Sequence, residues 1–233
     1  MLKFICCSDT HNLVPPAIDE TDVHAWLHAG DVFLNCRYEE RPKPVEDAAK
    51  ISAWADERKI PIYAVKGNHD CSMDTEFFDK INHASGRYIE LSPGLGLFGL
   101  GWHGGAYYDL PTEYDMHKRC DEAKREWLLK SKSGDQYIVL THYPPWVAAL
   151  YPDARNPAGW MFQCIRELID EIKPMVIIQG HVHELFGKQF VYSGPEFKSL
   201  IVAPGPKGGI LSINLDESNA TFEKWKKPKK EKE

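Results

Sequence analysis

Short apolar segments alternate with helical patterns along most of the chain, and this alternation limits the fold more than any other feature of the sequence. The apolar segments have the length and residue types of buried strands, and they are Leu2–Cys7, Val23–His28, Pro61–Val65, Gln136–Leu140 and Met175–Ile178. Strands that alternate with helices pair in parallel, because a helical crossover returns the chain to the same end of the sheet. The sequence therefore predicts an α/β fold with parallel pairing.

Apolar residues recur at helical spacing in two segments between these strands, Val45–Ala55 and Met161–Ile172. The second segment follows Pro157 and precedes Pro174, and proline is typical both of the first turn of a helix and of the residues beyond its end. A third helix is predicted over Thr112–Lys130.

After Phe186 the pattern changes to strands alone, predicted at Gln189–Tyr192, Leu200–Val202, Ile210–Asn214 and Thr221–Trp225. This change favours a layered α/β sandwich whose last sheet is completed by antiparallel strands. No linker-like stretch or internal repeat divides the chain, so we expect one domain over residues 1–225. Residues 226–233 are rich in Lys and Glu and are expected to form a charged, disordered tail.

The charge and cysteine content bear on partners and compartment. The 233 residues carry a net charge of -6, which does not indicate a nucleic-acid partner, although it leaves one possible. No apolar run is long enough to span a membrane, and the first apolar segment is too short for a secretory signal. The six cysteines include no C-x-x-C pair, so reduced thiols and a cytoplasmic location are expected.

Polar residues with metal-binding side chains follow each of the five predicted strands. They are Asp9 and His11, then Asp31, then Asn68, His69 and Asp70, then His142, and finally His181 and His183. In α/β sheets, ligands bind at the carboxyl ends of the parallel strands. Five strands therefore bring carboxylate, amide and imidazole groups to one edge of the fold.

These residue types point to metal ions. Imidazole suits ions such as Zn, Fe and Ni, whereas carboxylate and amide oxygens favour harder ions. The Asp-x-His and His-x-His spacings allow two ligands from one loop to reach a common centre. The set exceeds the needs of one ion, and two ions about 3.5–4 Å apart can clamp the attacking and leaving oxygens of a displacement at phosphorus.

The ordered motifs resemble those of the calcineurin-like metallophosphoesterases. That family carries D-x-H, G-D, G-N-H-[DE], a lone His and G-H-x-H, which occur here as Asp9–Thr10–His11, Gly30–Asp31, Gly67–Asn68–His69–Asp70, His142 and Gly180–His181–Val182–His183. All five blocks are present in order. The resemblance implies a four-layer α/β/β/α sandwich and a metal-dependent phosphoesterase.

The resemblance also implies a role for each residue. One ion would be bound by Asp9, His11 and His183, with Asp31 bridging to a second ion held by Asn68, His142 and His181. His69 would contact the phosphoryl oxygen and protonate or stabilise the leaving alkoxide, and Asp70 would orient His69 through a hydrogen bond. The cofactors would be two divalent ions, with Mn ranked before Fe, Zn, Ni and Co.

Departures from two subfamilies narrow the expected activity. Protein Ser/Thr phosphatases of this superfamily carry G-D-x-x-D-R-G, whereas here Asp31 is followed by Val32–Phe33–Leu34–Asn35. Purple acid phosphatases have a tyrosine at the position of Leu34. We therefore expect a phosphodiesterase or phosphatase for a small or nucleotide-like substrate, acting through activated water without a phospho-enzyme. The alternatives are a nuclease-like relative acting on nucleic-acid ends and a non-catalytic scaffold of the same fold.

Several residues near these motifs keep two interpretations. His28 could support the predicted ligands or be an ordinary buried strand residue, and Arg37 could touch a substrate phosphate or lie on the surface. His103 could line the pocket. The aromatic residues of Tyr107–Tyr108 and Tyr143–Trp146 could stack on a nucleobase or simply pack at the rim.

Overall fold

The computed structural model describes residues 1–14, 22–33, 43–70, 75–102, 111–145 and 162–225, without the side chains of residues 43–48, 75 and 76. The predicted tail at residues 226–233 lies outside the described residues, as do Arg37, His103 and Tyr107–Tyr108.

Two six-stranded mixed sheets form the centre of the fold. The first sheet consists of β1 (Leu2–Cys7), β2 (Ala25–His28), β3 (Ile62–Ala64), β4 (Asn82–His83), β11 (Gly209–Asn214) and β12 (Asn219–Lys224). The second consists of β5 (Arg87–Ser92), β6 (Leu95–Leu100), β7 (Gln136–Thr141), β8 (Val176–Ile178), β9 (Lys188–Ser193) and β10 (Lys198–Ala203). Their strand orders are β12-β11-β1-β2-β3-β4 and β5-β6-β7-β8-β10-β9.

The strands that precede the predicted site are parallel within each sheet. In the first sheet β1 pairs in parallel with β2, β2 with β3 and β3 with β4. In the second, β6, β7, β8 and β10 pair in parallel, while β5 and β9 are antiparallel edge strands. The prediction that antiparallel strands complete the last sheet was too narrow, because β11 and β12 also extend the first sheet in the antiparallel direction.

The helices cover the outer faces of the two sheets. They are α1 (Lys43–Asp56), α2 (Thr75–Lys80), α3 (Glu113–Lys130) and α4 (Gln163–Ile172). One cluster packs residues of α1 and α2 against the first sheet, and another packs α3 and α4 against the second. None of the helices in the described ranges is both long and apolar enough to cross a bilayer.

Alternation along β1 shows how the layers are formed. Phe4 and Cys6 point into the core between the sheets, where they join Leu97 and Val176. Ile5 and Cys7 point to the opposite face of the first sheet, where they belong to a second buried cluster. This period of two is the direct consequence of strand geometry. The layers therefore form an α/β/β/α sandwich, which confirms the predicted fold.

Candidate metal centre

The predicted ligands lie in turns at the carboxyl ends of strands from both sheets. Four of them, Asp9, His11, Asp31 and His181, have left-handed backbones with φ of 52°, 47°, 54° and 65°. This region is sparsely populated by residues other than glycine, although Asp and His enter it more often than most. Such strain is concentrated at functional sites, where the surrounding structure holds it in place.

A first group of side chains consists of Asp9, His11 and His183. Each offers one ligand atom, and these atoms all lie within 4.8 Å of one another. The shortest described pair joins His183 Nε2 to Asp9 Oδ1 at 3.5 Å. The hydrogen bond with the Asp9 carboxylate raises the pKa of His183. This group combines a buried carboxylate with a largely exposed histidine, and it could hold a metal ion.

A second group surrounds Asn68. Its Oδ1 atom lies 3.0 Å from His142 Nε2 and 2.9 Å from His181 Nδ1. His142 Nε2 also lies 3.3 Å from Asp31 Oδ2. Ligand atoms of Asp9, Asp31 and His142 fall within 4.8 Å of one another, so the two groups adjoin through their carboxylates. The assignment of the bridging role to Asp31 stays a prediction.

The donor chemistry of the second group fits a cation. His142 Nδ1 lies 2.9 Å from Ala29 O, so the N–H at Nδ1 donates to that carbonyl and Nε2 is left to face the other predicted ligands. Nε2 lies 3.0 Å from Asn68 Oδ1 and 3.3 Å from both Asp31 Oδ2 and His181 Nδ1. Acceptors that converge in this way require a shared proton or a metal ion.

The pKa shifts agree with a site for positive charge. Burial opposes ionisation of Asp31, but His142 and then His69 outweigh it and hold the pKa of Asp31 well below its usual range. Burial likewise opposes protonation of His142, yet the Asp31 carboxylate raises its pKa to about 9. Burial, with His142 as the next cause, lowers the pKa of His181 to about 3, so this imidazole is neutral and able to bind metal.

Two motif glycines are required by the close approach of these carboxylates. A Cβ atom at Gly67 would lie 2.2 Å from Asp31 Oδ1, and one at Gly180 would lie 2.6 Å from Asp9 Oδ2. Real Cβ atoms do not make such contacts, so a side chain at either position would displace a predicted ligand. Both glycines are therefore needed for the observed positions of the Asp9 and Asp31 carboxylates.

Replacing Gly67 by alanine is expected to weaken Mn²⁺ binding. The new methyl group would collide with the Asp31 carboxylate and the His142 ring, so we expect the dissociation constant to rise about 10- to 100-fold. Isothermal titration with Mn²⁺ measures this change. Gly134→Ala is the control, because Gly134 has φ +91° and no atom within 4 Å of its added Cβ, so it carries backbone strain without touching the site. Unchanged Mn²⁺ affinity in Gly67→Ala would refute the argument.

His69 lies beside the two groups. Its backbone N–H donates to Asp31 Oδ1 at 2.9 Å, and its Nε2 lies 3.9 Å from Asp31 Oδ2. The ring packs edge-on against His11 with centroids 4.9 Å apart. Burial lowers the pKa of His69, although its side chain remains 20% exposed. The His69 side chain thus lies beside the predicted ligands and is open to solvent, and its role in proton transfer stays a prediction.

Asp70 makes contacts that the sequence did not indicate. Its buried carboxylate accepts hydrogen bonds from the backbone N–H groups of Asp31, Phe33 and Gly67, at 2.8, 2.9 and 2.9 Å. Asp70 thus ties the turn after β2 to the turn after β3. The predicted hydrogen bond from Asp70 to His69 remains a prediction.

Comparison with known proteins identifies the family. Residues 2–185 match the sequence profile of the calcineurin-like phosphoesterases. The chain therefore belongs to this family of hydrolases, which confirms the resemblance seen in its motifs. The chain is also 27% identical over 201 residues to a UPF0046 protein of Caenorhabditis elegans. That match covers 80% of this chain and 65% of the relative, so the chain spans less than two thirds of the length of that protein.

Solved structures share the fold. The protein TT1561 of Thermus thermophilus superposes with a TM-score of 0.61 at 14% identity, over 96% of this chain and 99% of that one. A phosphopantetheinyl hydrolase from Mycobacterium tuberculosis gives a TM-score of 0.54 at 11% identity, over 87% of this chain and 90% of that one. At these identities the likeness concerns the fold alone.

Proposed function

We propose that this protein is a dinuclear-metal-dependent phosphoester hydrolase that acts on a small or nucleotide-like phosphodiester or phosphomonoester. The observation that carries the proposal is the adjacency of the two ligand groups through the buried carboxylates of Asp9 and Asp31. Membership of the calcineurin-like phosphoesterases supports the same class of reaction.

The proposed ligands follow the two groups. Asp9, His11 and His183 would hold one ion, Asn68, His142 and His181 would hold the other, and Asp31 would contribute to both. Divalent ions, with Mn ranked before Fe, Zn, Ni and Co, would supply charge neutralisation at phosphorus and would activate water for attack near neutral pH.

The side chains themselves are proposed to position and protonate the substrate. His69, half-buried beside Asp31 and His11, would contact a phosphoryl oxygen and deliver a proton to the leaving alkoxide. No serine, cysteine or other side chain is proposed as nucleophile, so turnover would leave no phosphorylated residue. Trapping a covalent phosphoprotein during turnover would contradict this mechanism.

The remaining parts of the proposal concern the substrate and the setting of the enzyme. A net charge of -6 gives nucleic acid no general attraction, so a small phosphoester is proposed as the partner. All residues that the family motifs require, His69 included, are present, which speaks against a non-catalytic scaffold. We also propose that residues 1–225 form one catalytic domain. We propose that the protein, with its cysteines reduced, is cytoplasmic.

Metal removal tests the proposed function. We expect the protein treated with a chelator and desalted to lose hydrolysis of both bis(p-nitrophenyl) phosphate and p-nitrophenyl phosphate. Addition of Mn²⁺ should restore activity when two ions are bound per chain, and the ratio of the two rates distinguishes a phosphodiesterase from a phosphatase. His117→Ala, an exposed histidine on α3, is the control for unspecific Mn²⁺ binding. Hydrolysis of neither ester by protein that holds two Mn²⁺ ions would count against the proposal.

A further inference from the structure

His28 is a buried histidine that the proposed mechanism does not use. It ends β2, is 3% exposed, and belongs to neither group of predicted ligands among the described residues. Its Nε2 atom lies 3.1 Å from the hydroxyl of Thr10, the residue between Asp9 and His11. His28 is therefore one hydrogen bond away from the loop that carries two predicted ligands.

The second contact of Thr10 is consistent with a hydrogen bond donated by His28. Thr10 Oγ1 lies 3.3 Å from the carbonyl of Val32, and a hydroxyl that donates to this carbonyl has lone pairs left to accept from His28. This arrangement corresponds to the tautomer of His28 that carries its proton on Nε2. The chain of donors runs from His28 through Thr10 to Val32, the residue after Asp31, and links β2 to both predicted carboxylate turns.

This side-chain link reinforces backbone contacts between the same two turns. The N–H of Asp9 donates to Gly30 O at 2.9 Å, that of His11 to Asp31 O at 3.2 Å, and that of Asn12 to Val32 O at 2.9 Å. Asp9 and His11 are both left-handed, so the turn around Thr10 is held away from its preferred backbone conformations. Thr10 anchors that turn through a side chain that is not itself a predicted ligand.

The other ring nitrogen of His28 shows that stability alone does not explain this residue. Nδ1 is buried and has no hydrogen-bond partner in the part of the chain that the structure describes. A buried acceptor without a partner is destabilising, and an apolar side chain of similar size would avoid that penalty. The preceding strand residues, Trp26 and Leu27, are buried and apolar.

We propose that His28 is a positioning residue, which acts through the hydroxyl of Thr10 to hold Asp9 and His11 in the geometry that binds metal. This inference rests on the proposed function for the identity of the ligand as a divalent metal ion. Partners that orient ligands in this way influence metal affinity about 10- to 100-fold.

The test compares variants that keep or remove the donor. His28→Phe keeps the ring and removes the N–H, whereas His28→Gln keeps an N–H near the position of Nε2. Titration calorimetry with Mn²⁺ alone should show one of two sites weakened about 10- to 100-fold in His28→Phe, with most of the affinity recovered in His28→Gln. Urea denaturation with a chelator present should give His28→Phe a midpoint equal to or above that of the wild type.

Thr10→Val removes the other partner of the same hydrogen bond. It provides an independent test in case the His28 variants misfold. It should weaken Mn²⁺ binding at the same site. The double variant of Thr10→Val with His28→Phe should bind Mn²⁺ no more weakly than the weaker-binding of the two single variants. His24→Phe, at an exposed position just before β2, is the control and should bind Mn²⁺ like the wild type.

Two results would overturn the inference: wild-type Mn²⁺ affinity in His28→Phe, or an affinity in His28→Gln as low as in His28→Phe. The proposed function fails separately. Wild-type protein that binds two Mn²⁺ ions without hydrolysing either ester contradicts the activity, while a specific loss of Mn²⁺ affinity in His28→Phe still supports the positioning role.

Discussion

Asp31→Asn is expected to remove nearly all phosphoesterase activity, because both oxygens of Asp31 have tasks that an amide cannot perform together. Oδ1 accepts the backbone N–H of His69 at 2.9 Å, so an asparagine must turn its oxygen to this side. Its amino group then takes the place of Oδ2, which lies 3.3 Å from His142 Nε2. A neutral donor would thus replace an anionic acceptor where the two ligand groups adjoin.

The expected loss exceeds that of a supporting residue. Partners outside the ligand set influence metal affinity or activity about 10- to 100-fold, so replacing a residue that is proposed to contribute to both ions should lower kcat/KM about 10³-fold. Initial rates with Mn²⁺ and the number of ions bound per chain measure the two parts of the effect. Asp216→Asn makes the same chemical change at an exposed turn and should leave both unchanged. An Asp31→Asn variant with normal rate and two bound ions would refute the assignment.

The strands that carry the predicted ligands could be recognised from the sequence. The strands β1, β2, β3, β7 and β8 are short, buried and apolar, and each runs directly into a polar motif. Parallel pairing brings the motifs of each sheet to one edge of that sheet. Asp9 follows β1 of the first sheet and His183 follows β8 of the second, so their meeting also depends on the packing of the two sheets on each other, which the strand pattern alone does not give.

Elements with weak periodicity were missed. β4 has two residues and α2 has six, lengths at which neither the strand period nor the helical period can be recognised. β5 was not among the predicted strands either, because Arg87 and Glu90 interrupt its apolar residues. These segments gain their structure from packing on neighbours, as when β4 pairs with β3.

Contacts made by backbone groups could not be predicted from the sequence either. The carbonyl of Ala29 orients the His142 ring, yet any residue at this position would supply the same oxygen. Asp70 illustrates the converse case, because its motif position was recognised but not the atoms it faces. A sequence shows that a carboxylate is present, and only the folded turns decide which donors surround it.

Asp70→Ala is expected to be the most destabilising substitution considered for this site. The carboxylate is 1% exposed and accepts three backbone N–H bonds, from Asp31, Phe33 and Gly67. Each buried donor left without a partner costs about 1–3 kcal/mol, so the free energy of unfolding should fall by about 3 kcal/mol or more. The free energy of unfolding should fall by less in Asp70→Asn. The amide oxygen can take the place of Oδ2 and accept from the two donors there, Asp31 and Gly67, while the amino group faces only the N–H of Phe33.

Urea denaturation in the presence of a chelator measures this loss without a contribution from bound metal. Asp79→Ala, an exposed aspartate on α2, is the matched control and should stay within about 0.5 kcal/mol of the wild type. The graded order of the Ala and Asn variants separates the two roles of Asp70. If it acts chiefly on His69, as the family resemblance implies, both variants would unfold like the wild type and would differ in the pH dependence of kcat. If it ties the turns together, stability falls in the order given, and Mn²⁺ affinity falls with it because Asp31 lies in one of those turns.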